Sequence, residues 1–368
     1  MKSLLLLFLI PVSVFAGFSK PELIARLSDR GAYKAPDNTW CFTSDPAILR
    51  GKVYLSCMDI DGRLMIEWDD DYKVIARAEE DQMFAAPLSG FGKVSWYEFN
   101  EWGAVKSFEL SDKLTVRDLK VLGPLNRSID NLTLVSPDSW LLRTKGNSPE
   151  LWIWQNDRAI PFFNPGAAYL FRPYVGNEGN IVLKVRENSY SESSPDKLWL
   201  YSNNKWKIIF EDRDSNPESP WKTFRQSFAI EGEKILLIAT DDQGEALLIL
   251  DNGNVEVIAR AGKDVKSFDF FSPQMNGGTV AVRGVDFQGR KVLYVYDQQE
   301  GFRRLVTQGD IVHTDIGYGK FDYSNQDSIF YSSPGVDEKG NVYQQLTMVD
   351  PDFPKVLMGI GLIKFIKE

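Results

Sequence analysis

A chain of 368 residues, 43% hydrophobic and 25% charged, has the make-up of an ordinary globular protein and room for one to three domains. A formal net charge of −9 and a pI near 5.0 leave no basic footprint, which excludes nucleic acid and anionic membrane as partners. Aromatic residues at 13%, with Trp numbering 10, suit a fold of many short strands packed face to face.

Residues 1–16 have the form of a signal peptide. Lys2 is the positive end, Leu4 to Ile10 the apolar stretch, and Val14-Phe15-Ala16 the small-residue cleavage site before Gly17. The apolar segment is short for a membrane span, and no Cys follows the cleavage site to carry a lipid. The mature chain is therefore expected from Gly17 onwards, periplasmic or secreted, monomeric and without membrane insertion. In such a compartment Cys41 and Cys57, the 2 cysteines of the chain, are expected to pair. They lie in neighbouring β-runs, Trp40–Thr43 and Val53–Cys57, and their spacing is not that of a redox motif.

The run Leu23-Ile-Ala-Arg26 resembles Val74-Ile-Ala-Arg77 and Val257-Ile-Ala-Arg260, each the last strand of a repeat further on. From Trp40 seven units follow, roughly 40–82, 83–124, 125–167, 168–214, 215–264, 265–311 and 312–363. Their third β-runs begin at Leu64, Val105, Leu151, Leu198, Leu247, Val292 and Gln345, at intervals of 41 to 53 residues. The fifth unit shows the pattern well: Lys234–Thr240, Ala246–Leu250 and Val255–Ala259 are separated by turns at Asp241-Asp-Gln-Gly244 and Asp251-Asn-Gly253. No stretch sustains a helical apolar period over three turns. Four short strands per unit at this period predict an all-β fold, a single β-propeller domain over 17–368 with seven four-stranded blades, six or eight being the alternatives. An orphan last strand at the N-terminus is what such a ring needs to close. The tail Val356–Ile363 competes with it for the outer position of the last blade.

Ser272-Pro273-Gln274 with Thr279–Val282, Val292-Leu-Tyr-Val-Tyr-Asp297 and Arg303-Arg-Leu305 resembles the TolB-type propeller repeat. Ser136-Pro-Asp138 with Trp140–Leu142, and Leu198-Trp-Leu-Tyr201, echo it. The resemblance implies an exported bacterial propeller. It assigns no function, since that family holds both envelope interaction proteins and enzyme-associated domains.

Motifs for chemistry are sparse. A single histidine, His313, rules out a His-rich zinc site. It sits between Asp310 and Asp315 in a loop, a candidate polar site for which a solvated histidine is the plainer interpretation. Asp59-Ile-Asp-Gly62 starts like a calcium loop but has Arg63 at the fifth position and glycine at the fourth, so a hairpin turn accounts for it. No metal and no cofactor are expected, and no catalytic residue is assigned. The sequons at Asn126 and Asn131 matter only in a eukaryotic secretory pathway.

The repeat is broken most in the fourth unit. Its second-to-third link, Glu187–Asp196, and its exit, Asp212–Trp221, are both long, and both belong to the face that carries the inter-blade links. Tyr190 and Trp221, with Lys222 and Arg225 beside them, are the expected anchors for a partner there. The function predicted is an exported, non-enzymatic scaffold that binds an envelope or extracellular protein or glycan. The alternatives are a carboxylate-dependent polysaccharide hydrolase or lyase at the central channel and a structural part of an envelope assembly.

Overall fold

Short β-runs punctuated by Gly, Pro, Asn and Asp give strands and turns, with no α-helix among the described residues of this computed structural model. The structure describes residues 17–19, 21–31, 34–36, 39–41, 44–69, 71–119, 128–164, 169–187, 195–314, 317–323, 328–353 and 356–368.

The strands form a β-propeller of seven antiparallel blades, each four strands deep from the central channel outwards. Blade 1 runs Ala47–Leu49, Lys52–Asp59, Gly62–Asp69 and Asp71–Arg77. Blade 2 has a divided inner strand, Met83–Phe84 and Leu88–Gly90, then Lys93–Asn100, Gly103–Leu110 and Leu114–Asp118. Blade 3 is Ile129–Ser136, Ser139–Thr144, Leu151–Gln155 and Arg158–Phe163. Blade 4 divides its inner strand into Tyr169–Leu170 and Tyr174–Val175, followed by Ile181–Arg186, Asp196–Ser202 and Lys205–Glu211. Blade 5 has Thr223–Phe224 with Ala229–Glu231, then Lys234–Asp241, Gly244–Asp251 and Asn254–Arg260. Blade 6 has Ser267–Phe268 with Gln274–Asn276, then Thr279–Val285, Lys291–Asp297 and Gly301–Thr307. Turn chemistry follows the sequence: Asn252 and Gly253 take φ of 50° and 84°, the left-handed pair that a two-residue hairpin requires.

Blade 7 corrects the expected register. Gly317–Phe321 and Phe330–Val336 together line the channel, Val342–Val349 is the second strand, Leu357–Phe365 the third, and Glu22–Arg26 the outermost. Gln345 thus lies in a second strand, not a third. The N-terminal run wins the outer position, pairing Glu22 with Lys364 and Arg26 with Gly361, while the tail lies one layer inwards. The two ends of the ring are closed by this strand pair, which removes the open edge.

The apolar core is divided into slabs, one between each pair of neighbouring blades. Leu236 and Ile238 pack against Val280 and Val282 of blade 6, while Leu237, on the other face of the same strand, packs against Val182 and Leu198 of blade 4. Both faces of a middle strand are therefore buried, which is why these strands read as continuous apolar runs.

A polar contact recurs at every blade boundary. In blades 2, 4 and 6 the inner strand is interrupted, and its second piece resumes directly after Pro87, Pro173 and Pro273, because proline has no N–H to offer the ladder. At or near such irregularities a backbone carbonyl accepts a side-chain donor from the preceding blade. From second strands, Ser56 Oγ donates to Phe84 O (3.4 Å), Tyr97 Oη to Asp130 O (3.2 Å), Arg143 Nε to Leu170 O (2.8 Å) and Lys184 Nζ to Phe224 O (2.6 Å). Arg283 Nη1 donates to Ser332 O (2.5 Å) and Gln345 Nε2 to Ser44 O (2.8 Å). In blade 5 the donor stands beside the inner strand instead, as Arg225 donates to Asp269 O.

Cys41 and Cys57 are disulfide-bonded, with Cα atoms 4.2 Å apart. Trp40 bridges Met58, and Cys41 N–H donates to Leu27 O, so the bond ties the segment after the closing strand to blade 1.

Replacing both cysteines by serine should lower the free energy of unfolding by about 3 kcal/mol, read from denaturant unfolding with midpoint and m-value both fitted, because the bond acts on the unfolded chain. Lys184→Met should cost about 1–3 kcal/mol, because Asp196 keeps Arg186 as a partner but the Phe224 carbonyl loses its donor. An unchanged midpoint would show that this contact does not hold blades 4 and 5 together.

Candidate ligand-binding face

Second-to-third links and inter-blade links emerge on one face. Asp242, in the second-to-third link of blade 5, pairs with Arg213 in the exit of blade 4 at 3.0 Å, and Lys145 of the blade 3 link donates to Glu101 O of the blade 2 link. On this link face a cavity of about 580 Å³ opens between blades 6, 7 and 1 at the channel mouth.

Its polar wall is built around Arg283. That side chain is 5% exposed and its guanidinium carbon lies 3.9 Å from the centroid of the Phe271 ring. Nη1 donates to Ser332 O and Nη2 meets Asp269 Oδ2 at 3.1 Å, whereas the buried Nε has no hydrogen-bond partner among the described residues. Lys291 stands 3.7 Å from the same Asp269 oxygen.

Asp45 forms the opposite wall and accepts the Ser333 N–H at 2.7 Å. Its side chain is exposed, but at a channel mouth whose walls take the place of much of the surrounding bulk water. That loss of bulk solvent raises its carboxyl above the usual value, against the lowering effects of the Ser333 hydrogen bonds, Arg172 and Arg283. The lip is aromatic: Phe270 is 78% exposed and packs on Phe271, and Tyr323 is also exposed.

Around this mouth the link turns present large apolar side chains to water. Phe287 of blade 6, Phe353 of blade 7, Ile60 of blade 1 and Trp102 of blade 2 all sit at second-to-third links, and all are exposed, Ile60 by 95%. These four blades are consecutive around the ring, because blade 7 adjoins blade 1. Asp61, Glu101 and Asp352 stand exposed beside the apolar tips. The corresponding link of blade 5 is Asp242-Gln243, without an apolar residue.

The rim expected at blade 4 is differently made. Of the first long segment only Glu187, Pro195 and Asp196 are described, and Asp196 ties that end to the exit: its N–H donates to Asp212 Oδ2, and its carbonyl accepts from Asp212 N–H and Ser215 Oγ. Trp221, however, is 6% exposed and packs against Phe210, so it belongs to the slab between blades 4 and 5 rather than to an exposed anchor. Lys222 pairs with Asp242 at 2.8 Å, and Arg225 makes a bidentate pair with Glu245 besides its contact with Asp269 O. Arg213 and Lys222 hold the Asp242 carboxyl down at about 2. Tyr190 lies outside the described residues.

His313 is exposed on a strand, Ile311–Thr314, that pairs with Gly317–Phe321, rather than on a loop. Asp310 accepts the Thr307 N–H at 2.8 Å, and burial raises its carboxyl. Asp315 lies outside the described residues, as does Asn126; Asn131 is buried in blade 3, where no glycan could be attached. Among the described residues no group of three or more His, Cys, Asp and Glu could hold a metal ion, and no helix is long and apolar enough to cross a membrane.

No protein-family model matches the sequence, and no curated protein matches it. Similarity appears at the level of the fold. The β-propeller domain of the trilobed protease from Pyrococcus furiosus, described as having an open velcro topology, superposes with a TM-score of 0.55 at 14% identity, over 89% of this chain and 94% of that one. One of two prolyl endopeptidases studied for inter-domain dynamics gives 0.55 at 9% identity, covering 94% of this chain and 49% of that one. The acylaminoacyl peptidase of Pyrococcus horikoshii gives 0.53 at 15%, covering 84% and 51%. The chain spans about half the length of the latter two, and at these identities the likeness is one of fold alone. Ser136-Pro-Asp138 and Ser272-Pro273, the two Ser-Pro motifs of the TolB-like pattern, fall at different places in their blades. The first is at the turn before a second strand and the second is at the break in an inner strand.

A raised carboxyl is one whose charge opposes folding. The protonated form is favoured in the folded state, so the effect is absent below the unfolded value near 3.8 and complete above the raised folded value. Asp45→Asn should therefore melt higher than the parent at pH 7, with the gain fading as pH falls through the raised value towards 3.8. Thermal melts across about pH 3–8 measure this, and a variant that melts lower at pH 7 would show that the Ser333 contact outweighs burial.

Proposed function

We propose that this protein is an exported, non-enzymatic binding ring of the cell envelope or the extracellular space, and that it meets an envelope or extracellular protein or glycan on its link face. The supporting observation is the arc of exposed apolar side chains, Phe287, Phe353, Ile60 and Trp102, on four adjacent blades around an open polar cavity. Large apolar residues gathered on one face contribute nothing to the core and are the usual mark of a recognition surface. The disulfide and the form of residues 1–16 support export, with the mature chain, a single propeller domain, beginning at Gly17. The blade 4 rim, where Lys222 and Arg225 stand and to which the sequence assigns Tyr190, is a second contact area.

In-cell crosslinking followed by mass spectrometry tests this proposal. The fourfold variant Ile60→Ser, Trp102→Ser, Phe287→Ser, Phe353→Ser should fold with an unchanged melting temperature and lose envelope partners by about tenfold or more. Deletion of Ser189–Pro195 reports on the rim separately. Partners captured equally by the parent and both variants would remove the link face as the recognition surface.

A further inference from the structure

The cavity at the channel mouth has a chemistry of its own. Its ionised groups balance: Asp45 and Asp269 stand against Arg283 and Lys291. An anion is drawn by one pair and opposed by the other, and a cation meets the same cancellation. What the cavity does offer is unspent hydrogen-bonding capacity beside an apolar plane. Arg283 lines the cavity, and its guanidinium is only partly spent: Nη1 and Nη2 each make one of the contacts described above, and the buried Nε has no partner among the described residues. Asp45 accepts from the Ser333 N–H and side chain, and its carboxylate is exposed at the channel mouth. Phe270 presents its ring to water at the lip, held against Phe271 with ring centroids 4.2 Å apart.

We infer that this cavity is a saccharide site, taking a neutral pyranose whose hydroxyls bond Asp45 and Arg283 while its C–H face stacks on Phe270. A pyranose joins the two properties the site combines, a rim of hydroxyls that both donate and accept and a face of C–H bonds. The electron-rich face of an aromatic ring attracts such C–H bonds, and a cavity of about 580 Å³ is within the range of small-molecule sites. Neutrality is the point of discrimination. A charged ligand would have to discard half of the wall, whereas hydroxyls use the carboxylates as acceptors and the cations as donors at once.

This inference rests on the link face being the recognition face, and the experiment separates the two. The purified mature chain is titrated with neutral oligosaccharides (cellotriose, maltotriose, chitotriose and mannotriose) and with two ionic probes, trilysine and triglutamate. Binding is followed by saturation-transfer NMR and calorimetry. At least one neutral oligosaccharide should bind, and Phe270→Ala and Asp45→Asn should each weaken it by about tenfold or more. Phe270→Ala removes an exposed ring and should leave the melting temperature unchanged. Binding of the ionic probes alone, saccharide binding that survives both substitutions, or no saccharide binding across the panel would overturn the inference. In each of those cases, loss of crosslinked partners from the fourfold variant would still uphold the link face as a protein-binding surface.

Discussion

The ring depends on one recurring contact, a side chain of one blade donating to a backbone carbonyl of the next where the next blade's inner strand starts, bulges or breaks. Each such irregularity leaves a carbonyl without its ladder partner, and a buried carbonyl left so costs about 1–3 kcal/mol. The preceding blade supplies the missing donor at every boundary, from Ser56 to Gln345. Apolar slabs hold neighbouring blades together without direction. The polar contact adds direction, because a donor must meet a particular oxygen and so fixes how far one blade can slide along another.

That contact also determines the electrostatics of the channel mouth. Where the donor is Ser, Tyr or Gln it brings no charge, but Arg143, Lys184, Arg225 and Arg283 carry cations inwards, and each needs an anion nearby. Asp130, Asp196, Glu245 and Asp269 supply them. Lys184 shows the cost: burial lowers its pKa although Asp196 lies 2.7 Å away. At blade 6 the arrangement is not closed within the blade. Arg283 shares its surroundings with Asp45 of blade 1, Lys291 reaches the same Asp269, and Nε stays unpaired among the described residues. Of the four charged contacts, this is the one that keeps a donor unspent among the described residues, and a cavity opens beside it.

Much of the fold was legible because strand period and turn chemistry are local properties. Units of the right length, the orphan N-terminal strand and the pairing of Cys41 with Cys57 all follow from residues close in sequence. The error in blade 7 has a physical origin: its inner strand comes in two pieces, Gly317–Phe321 and Phe330–Val336, and counting each piece as a strand puts Val342–Val349 one layer too far out. Trp221 misleads for a similar reason. An aromatic in a long polar exit suggests an exposed anchor, but the exit is folded by its own hydrogen bonds. Arg213 donates to Ser219 O and Pro220 O, and Ser219 Oγ to Glu211 O, which turns the indole inwards. The residues that join the blades share no side-chain type, so no repeat of letters announces them. The prolines at 46, 87, 173, 273 and 334 were the available signal, because a proline in a strand implies a break and a break implies an unpaired carbonyl.

The division of labour between the two long features of the link face follows from where charge is satisfied. At blade 4 the cations of the rim already have anions: Arg213 and Lys222 share Asp242, and Arg225 holds Glu245. A partner docking there would have to compete with pairs already made, and surface pairs of that kind add little to affinity. On blades 6, 7, 1 and 2 the opposite holds. Ile60, Trp102, Phe287 and Phe353 face water with nothing to lose on contact, and desolvating them is favourable whatever the partner's detailed charge. In the binding proposed, the acidic groups beside them, Asp61, Glu101 and Asp352, would choose among partners rather than drive association, by repelling anionic surfaces, including a second copy of a chain whose net charge is −9. On the function proposed, affinity from the apolar tips and selectivity from the acidic collar would thus be carried by different residues on the same turns, while the ring beneath keeps the turns in fixed relation.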